Sequence, residues 1–232
     1  MGIYRTLSEA QKADIASRIL LEDNHIIVFN KLPGEIVQGD KTGDEPLSET
    51  LKAYIAGRDS KPGQVFMGVP HRLDRPVGGV VLFAKTSKAL ERLNRMLREG
   101  GVHKTYWALT AGEPPKAEDT LTDYLVRNEA QNKSYVSAGG KEARLHYRLI
   151  QRTERYFLLE IELFTGRHHQ IRCQLAHMGC PIKGDLKYGA RRSNPDGSIS
   201  LLARRIQFIH PVSKAEVDVT APVPSSWKGV QG

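Results

Sequence analysis

The strongest structural signal in the sequence is one continuous run, VVLFAKTSKALERLNRMLREGGVHKTYWALTAG, at residues 80–112. Its first part, 80–85, is apolar and is typical of a buried strand. Residues 86–101 carry leucines and a methionine at helical spacing and end in two glycines, which predicts a helix. Residues 102–112 return to strand-forming residues. The run therefore predicts a strand, a helix and a second strand in succession.

The flanking sequence contains more predicted strands than helices. Alternation and helical spacing predict a strand pair at 18–31, a helix at 47–57, a hairpin at 141–164, a short helix at 168–179 and a hairpin at 201–222. The segments 36–46, 58–70 and 113–140 are expected to be loops. We therefore expect an α+β fold with a mixed, mostly antiparallel sheet core and flanking helices.

The composition limits the classes of protein. The chain has 232 residues, of which 40% are hydrophobic and 26% charged, as in an ordinary soluble protein. No apolar run approaches the roughly 20 residues of a membrane span. The formal net charge of +8 favours an anionic partner, nucleic acid above all. Two cysteines in a chain of this length suggest a reducing compartment, so we expect a cytoplasmic location and no disulfide framework.

The stretch HRLDRPVGG, residues 71–79, contains the first candidate for chemistry, Asp74. Pro76 fixes its own φ and biases Arg75 toward an extended conformation. A carboxylate in such a turn has a defined position, and a nearby arginine would keep it ionised, which suits a nucleophile. A surface turn with a solvated aspartate is the alternative.

Two further candidates lie downstream. Arg172 lies next to the predicted buried stripe of the helix at 168–179, which is formed by Ile171, Leu175 and Met178. A partly buried arginine there would need a carboxylate partner. The alternative is an exposed basic helix. By strand alternation, Tyr106 shares a face with Lys104. In a cleft its ring could stack on a planar base, although an ordinary core tyrosine is the alternative.

The histidines and cysteines raise a metal hypothesis, which the spacing argues against. The residues concerned are His71, His168, His169, Cys173, His177 and Cys180. On one helix, His169 and His177 are separated by about 12 Å of rise, so Cys173 and both histidines cannot share one ion. We therefore expect no metal. The sequence also has no GxxxxGK[ST], GxGxxG, GxSxG or HExxH motif.

Five segments, taken in chain order, resemble the motifs of the RluA family of RNA pseudouridine synthases. They are ILLEDNHIIVFNKLPG (19–34), HRLDRPVGGVVLFAKT (71–86), KTYWALTAG (104–112), GRHHQIRCQLAHMGCPIKGDLKYG (166–189) and LLARRIQFIHPVSKAEVDVTAPVP (201–224). The resemblance implies the pseudouridine synthase fold and the isomerisation of uridine to pseudouridine in RNA, without a cofactor. Ribosomal RNA is the favoured substrate, ahead of transfer RNA.

The same resemblance implies roles for individual residues. Asp74 matches the essential carboxylate, Arg172 the arginine paired with it, and Tyr106 the side chain that stacks on the target uracil. RNA contacts are expected from His71, Arg72, Arg75, Lys104, Arg167, His169 and Gln170. A catalytically inactive RNA-binding module of the same fold, and a metal-dependent hydrolase, are the alternatives from other classes.

The sequence departs from the family pattern in three places. Val77-Gly78-Gly79 stands where the family usually has Thr-Ser-Gly, and His168 where it often has threonine. Residues 1–17 are too few for the small S4-type domain with which many members begin. We therefore expect an N-terminal extension at 1–17 and one catalytic domain at 18–232, acting as a monomer away from membranes.

Overall fold

The computed structural model describes residues 4–61 and 63–231, and it divides into two compact units. Unit 1 contains the described residues up to Val102 together with Ile206–Ala221. Unit 2 contains His103–Arg205 and the described residues from Pro222 onward. The predicted extension at 1–17 begins with residues 1–3, which lie outside the described residues.

The elements of the chain follow one another in a mixed order. The helices are α1 (Glu9–Arg18), α2 (Leu47–Arg58), α3 (Ser87–Arg98), α4 (Gln170–His177) and a 3₁₀ helix (Leu186–Tyr188). The strands are β1 (Ile19–Glu22), β2 (Ile26–Lys31), β3 (Gly78–Ala84), β4 (Val102–Thr110), β5 (Glu118–Asn128), β6 (Lys133–Val136), β7 (Lys141–Arg152), β8 (Phe157–Leu163), β9 (Leu201–Ile209) and β10 (Glu216–Thr220). No helix in the described part of the chain combines the length and the apolar character that a bilayer crossing requires.

Unit 1 is built around β2, which pairs antiparallel with both β1 and β3. Every residue of β3 is buried, which explains its continuous apolar sequence. Thr86 caps α3, because its hydroxyl accepts from the Ala89 N–H at 3.2 Å. Ala89 and Leu93 then pack into a core with residues of β2, β3, β9 and β10. This packing fixes the end of β2 beside the start of β3, where Lys31 lies opposite Gly79.

Unit 2 contains an antiparallel array in the order β4-β8-β7-β5-β6. The helix α4 contacts β5 and β6. Gln174 on α4 is fully buried, and its side-chain amide donates to the Asp123 carboxylate at 2.8 Å and to the Ala143 carbonyl at 3.1 Å. These bonds fix α4 on the array, and α4 carries Arg172.

The structure confirms the predicted fold class, a mixed and mostly antiparallel sheet with few helices. The strand, helix and strand predicted at 80–112 are present as β3, α3 and β4. The loop predicted at 113–140 is wrong, because β5 and β6 occupy most of it. The alternating exposure along β5 follows from its leucines at 121 and 125, a strand signal that the glutamate- and proline-rich start of the segment obscured.

The helix α1 was also missed by the sequence reading. Ser8 and Gln11 form a capping box, in which each side chain bonds the other residue's backbone N–H. The S-x-x-Q spacing was therefore a readable signal for the start of this helix.

Candidate active site

The sequence-predicted site residues are divided between the two units. Unit 1 holds Asp74, His71, Arg72 and Arg75, and unit 2 holds Lys104, Tyr106, Arg167, His169, Gln170 and Arg172.

Asp74 lies at the start of a hydrogen-bonded turn. The Val77 N–H donates to the Asp74 carbonyl at 3.0 Å, and the Gly34 N–H donates to the Arg75 carbonyl at 2.8 Å. Both bonds fix backbone groups within the turn. The half-buried Asp74 side chain therefore extends from an ordered backbone rather than from a free loop.

A buried lysine connects this turn to the end of β2. Lys31 is 1% exposed, and its ammonium donates to the carbonyls of Leu32 at 3.0 Å, Arg75 at 3.1 Å and Val77 at 2.6 Å. Two of these three carbonyls belong to residues that closely follow Asp74. Lys31 is thus the side chain that holds the Asp74 turn in place.

Burial of Lys31 has an electrostatic consequence. Desolvation lowers the pKa of the Lys31 ammonium from 10.5 to about 8, although the carboxylates of Glu35 and Asp74 oppose this effect. Lys31 remains mostly protonated at neutral pH. Its charge then attracts the Asp74 carboxylate in addition to holding the turn.

Arg75 makes its contacts away from Asp74. One terminal nitrogen of its guanidinium bonds the Asp44 carboxylate at 2.7 Å and the Thr42 hydroxyl at 2.8 Å. These contacts tie the turn to the loop at 40–44. Arg75 therefore holds a neighbouring loop, and its predicted RNA contact stays a prediction.

His71 and Arg72 differ from each other in accessibility. His71 is half-buried, and its Nε2 accepts from the Leu82 N–H at 3.0 Å, which places the ring proton of the neutral form on Nδ1. Arg72 is exposed. Among the described residues it has no hydrogen-bond or ion-pair partner, so it is accessible for a phosphate.

The segment Val77-Gly78-Gly79 explains why small residues follow the turn. A Cβ on Gly78 would lie 3.2 Å from Pro33 Cδ and 3.3 Å from the Lys31 carbonyl. Gly79 has a φ of 110°, in the region that favours glycine. These two glycines allow β3 to start against the end of β2.

Arg172 is held in unit 2 by a carboxylate that the sequence reading did not select. Its Nε donates to the Asp185 carboxylate at 2.6 Å and one terminal nitrogen donates at 2.9 Å, in a bidentate pair. Arg172 is 5% exposed and Asp185 is 1% exposed. The Arg172 guanidinium also lies 5.1 Å from the ring centre of Tyr188. Asp185 and Tyr188 therefore fix the direction of this guanidinium.

Tyr188 links this pair to His169. The Ser134 N–H donates to the Tyr188 hydroxyl at 2.8 Å, and the hydroxyl lies 3.0 Å from His169 Nδ1. Burial raises the pKa of Tyr188 to about 12, so its proton is available for donation to Nδ1. Burial, and then the charge of Arg172, lower the pKa of His169 to about 2. His169 is thus a neutral ring, with its proton assigned to Nε2.

Tyr106 and Lys104 are two residues apart on β4, the spacing at which side chains lie on one face of a strand. Tyr106 is 7% exposed and pairs in register with Ile161 on β8. Lys104 is half-buried, and its pKa is lowered by desolvation. The stacking of Tyr106 on a base stays a prediction.

Gln170 and Arg167 hold the loop before α4. The buried Gln170 accepts at Oε1 from the Arg167 N–H at 3.0 Å and from the Thr165 hydroxyl at 2.8 Å. Its amide nitrogen donates to the Arg144 carbonyl at 3.1 Å. Arg167 is exposed, and its Nε donates to the Glu142 carbonyl at 2.7 Å. The geometry gives both residues a loop-holding role, while their RNA contacts stay predictions.

The cysteines have the character of buried thiols. Burial raises the pKa of Cys173 to about 11, and its thiol donates to the Ser134 carbonyl at 3.3 Å. Burial also raises the pKa of Cys180. Across residues 4–61 and 63–231, no group of three or more His, Cys, Asp or Glu side chains is arranged to hold a metal ion.

Three residues of the candidate site were missed from sequence, namely Lys31, Asp185 and Tyr188. Lys31 had a readable signal, because it ends an otherwise mostly apolar strand, IIVFNK. Asp185 and Tyr188 fall inside the quoted segment GDLKYG, but nothing in their spacing indicates the contact with Arg172.

Each unit of this basic α+β chain contains part of the candidate set of residues. Unit 1 supplies a carboxylate on a fixed turn, and unit 2 supplies a buried guanidinium beside neutral aromatic groups. Comparison with known proteins identifies the family. A family model described as RNA pseudouridylate synthase matches residues 25–177. The chain therefore belongs to the RNA pseudouridylate synthase family and is an isomerase of this class.

Individual relatives agree with this assignment. The chain is 31% identical over 217 residues to ribosomal large subunit pseudouridine synthase C of Vibrio cholerae, covering 91% of this chain and 67% of the relative. It is 33% identical over 241 residues to ribosomal large subunit pseudouridine synthase D of Xanthomonas campestris, covering 96% and 70%. The chain thus spans about two thirds of the length of these relatives.

A solved structure shares the fold. The protein called human RNA pseudouridylate synthase domain containing 4 superimposes with a TM-score of 0.78 at 22% identity, covering 94% of this chain and 92% of that one.

Proposed function

We propose that this chain isomerises uridine to pseudouridine in ribosomal RNA. In this proposal Asp74 supplies the essential carboxylate, Arg172 is the cation paired with it, and Tyr106 stacks on the target uracil. The observation that carries the proposal is the turn at Asp74, which the buried Lys31 ammonium holds through the carbonyls of Arg75 and Val77.

The chemistry requires an ionised carboxylate in a fixed position. Cleavage of the bond between uracil and ribose leaves the sugar carbon electron-poor, and a carboxylate stabilises or captures such a centre. Because Asp185 already holds two nitrogens of Arg172, the remaining edge of the guanidinium has a defined direction.

The target base must leave its stack before it can react. Extrusion of a base costs a few kcal/mol, and stacking on an aromatic ring returns about 1–3 kcal/mol. Tyr106 provides such a ring. The net positive charge of the chain supports sequence-independent contacts with RNA phosphates.

Ribosomal RNA is the proposed substrate because the relatives above are named as synthases of the ribosomal large subunit. We place the catalytic domain at 18–232, with 1–17 as an extension, and propose that it acts as a monomer. Two buried cysteine thiols and an RNA substrate support a cytoplasmic location.

The test uses purified protein and RNA from cells that lack the gene. Ribosomal and transfer RNA are incubated separately with the wild type, and pseudouridine is mapped chemically along each. We expect a new pseudouridine in ribosomal RNA. Asp74→Asn is expected to abolish the product and to keep RNA binding.

Two outcomes contradict the proposal. Near-normal turnover by Asp74→Asn would remove the carboxylate from the mechanism. Product in transfer RNA alone would refute the assignment of the substrate.

A further inference from the structure

The loop at 189–199, between the 3₁₀ helix and β9, presents two adjacent exposed arginines, Arg191 and Arg192. We call this segment the arginine loop. Within the described residues, neither arginine has a hydrogen-bond, ion-pair or ring partner. The lack of a partner, rather than exposure, distinguishes them from most other arginines in unit 2.

Other arginines of unit 2 mostly have a partner. Arg148 bonds Glu160 at 2.8 Å, and Arg152 bonds Glu113 at 2.5 Å. Arg144 lies over a phenylalanine ring. Arg191 and Arg192 are thus two neighbouring guanidinium groups without a carboxylate partner among the described residues.

The arginine loop is held by buried polar contacts rather than hanging free. Asn194 is 8% exposed, and its Oδ1 accepts from the Lys183 ammonium at 2.6 Å. Its amide nitrogen donates to the hydroxyls of Ser198 at 3.2 Å and Ser200 at 3.3 Å. A Cβ on Gly184 would lie 2.8 Å from the Asn194 side chain, so the loop closes tightly on its own base. A fixed backbone lowers the entropy lost when its side chains bind a ligand.

The loop begins beside the residues that hold Arg172. The Ala190 N–H donates to the Asp185 carbonyl at 3.0 Å, while the Asp185 carboxylate holds Arg172. Arg191 follows Ala190 directly. Arg191 and Arg192 therefore follow a residue whose backbone bonds Asp185, and Asp185 also fixes the buried Arg172 guanidinium.

We infer that Arg191 and Arg192 form a binding site for RNA phosphates flanking the target nucleotide. An exposed, unpartnered guanidinium provides the charge and the donors that a phosphate requires. Such contacts set the position of the RNA and add affinity without reading its sequence. The inference rests on RNA as the substrate, as proposed above, but not on any catalytic role of Asp74.

The test measures RNA binding apart from turnover. In an Asp74→Asn chain, Arg191→Ala and Arg192→Ala are combined, and the affinity for a fluorescent RNA stem-loop with uridines in its loop is measured at several salt concentrations. The matched control combines Arg98→Ala and Arg155→Ala, which removes two other exposed arginines that have no partner among the described residues. Thermal unfolding verifies that all variants are folded.

A plot of log affinity against log salt has a negative slope. Loss of two phosphate contacts makes this slope less steep, by about 1.4 for single-stranded RNA and about 1.8 for a duplex. When salt is raised from about 50 to 200 mM, both proteins lose affinity. The fold-loss of the arginine-loop variant should be smaller than that of its parent by a factor of about 7 to 12. The control should keep the parental slope. The double change to lysine should keep most of the slope, because phosphate binding depends on charge.

An unchanged affinity and slope in the arginine-loop variant would overturn the inference, and so would an equal loss in the control. In the chain with Asp74 intact, the arginine-loop variant should show a raised KM and an unchanged kcat. If the wild type forms no pseudouridine while the slope still changes as stated, the proposed function fails and the phosphate site stands.

Discussion

Replacement of Lys31 by methionine tests whether the buried ammonium positions the Asp74 turn. A methionine side chain is about as long as that of lysine and is apolar like its aliphatic stem, but it has no hydrogen-bond donor. Lys31→Met therefore fills much the same space and removes the bonds to three carbonyls. The perturbation is therefore confined to charge and hydrogen bonding at the end of β2.

The loss of stability in Lys31→Met depends on which of the three carbonyls keep another donor. The Arg75 carbonyl keeps the Gly34 N–H at 2.8 Å, and the Leu32 carbonyl keeps the Glu35 N–H at 3.4 Å. The Val77 carbonyl loses a charged donor at 2.6 Å, a bond that contributes about 1.5–3 kcal/mol. Removal of a buried charge offsets part of the loss. We expect the free energy of unfolding to fall by about 2 kcal/mol.

The effect on turnover should exceed the effect on stability. A displacement of about 1 Å in a reacting group costs about 100-fold in rate, so we expect kcat to fall by about 10- to 100-fold. RNA affinity should be nearly unchanged, because Lys31 is buried and its ammonium bonds protein carbonyls. Single-turnover formation of pseudouridine, equilibrium RNA binding and urea unfolding measure the three quantities.

Lys85→Met is the matched control. Lys85 donates to the Glu22 carboxylate at 2.6 Å and to the Asp23 carbonyl at 2.5 Å, at the opposite end of the β2–β3 pair. This variant should lose stability and keep kcat. A folded Lys31→Met protein with the kcat of the wild type would refute the positioning role.

Two further predictions concern pH and Asp185. Between pH 8 and 10.5 the unfolded chain binds more protons at Lys31 than the folded chain, because the folded pKa is about 8 and the ordinary value is 10.5. The stability of the wild type relative to Lys31→Met should therefore rise with pH by about 3 kcal/mol across this window, as urea unfolding at both ends would measure. A difference that stays flat would contradict the burial argument. Asp185→Asn removes the charge that holds Arg172 and should lower kcat more than RNA affinity, whereas the control Glu22→Gln, which removes another paired carboxylate, should affect only stability. Equal losses of kcat and affinity in Asp185→Asn would point to a general structural role.

The sequence predicted the fold where one face of an element is plainly apolar. The strand, helix and strand at 80–112 were readable because β3 is buried throughout and α3 has one apolar face. The strand β5 was missed, since it is largely exposed and its few apolar residues follow a loop-like start. Exposure weakens the sequence signal for a strand, even where backbone pairing is complete.

The candidate site was predictable only at the level of residue types. The motifs led to Asp74, Tyr106 and Arg172, but spacing contains no information about which carboxylate approaches which guanidinium. The bidentate contact between Arg172 and Asp185 depends on how the chain after α4 folds back toward that helix. Likewise, Gln170 was selected for RNA contact, whereas its buried amide bonds three groups of the protein.

The unusual segment Val77-Gly78-Gly79 and the buried Lys31 are best understood together. Where the resembling family usually has two hydroxyls after the aspartate, this chain has none, so those side chains cannot bond the turn. Lys31 instead donates to the Val77 carbonyl within this segment at 2.6 Å. A Cβ on Gly78 would lie 3.3 Å from the Lys31 carbonyl, a contact so tight that its neighbours would have to shift. A larger residue at 78 would therefore press on the end of β2, where Lys31 lies opposite Gly79. Gly78 and Gly79 therefore contribute to the position of Asp74, because they allow β3 to start close to Lys31, whose ammonium bonds the turn.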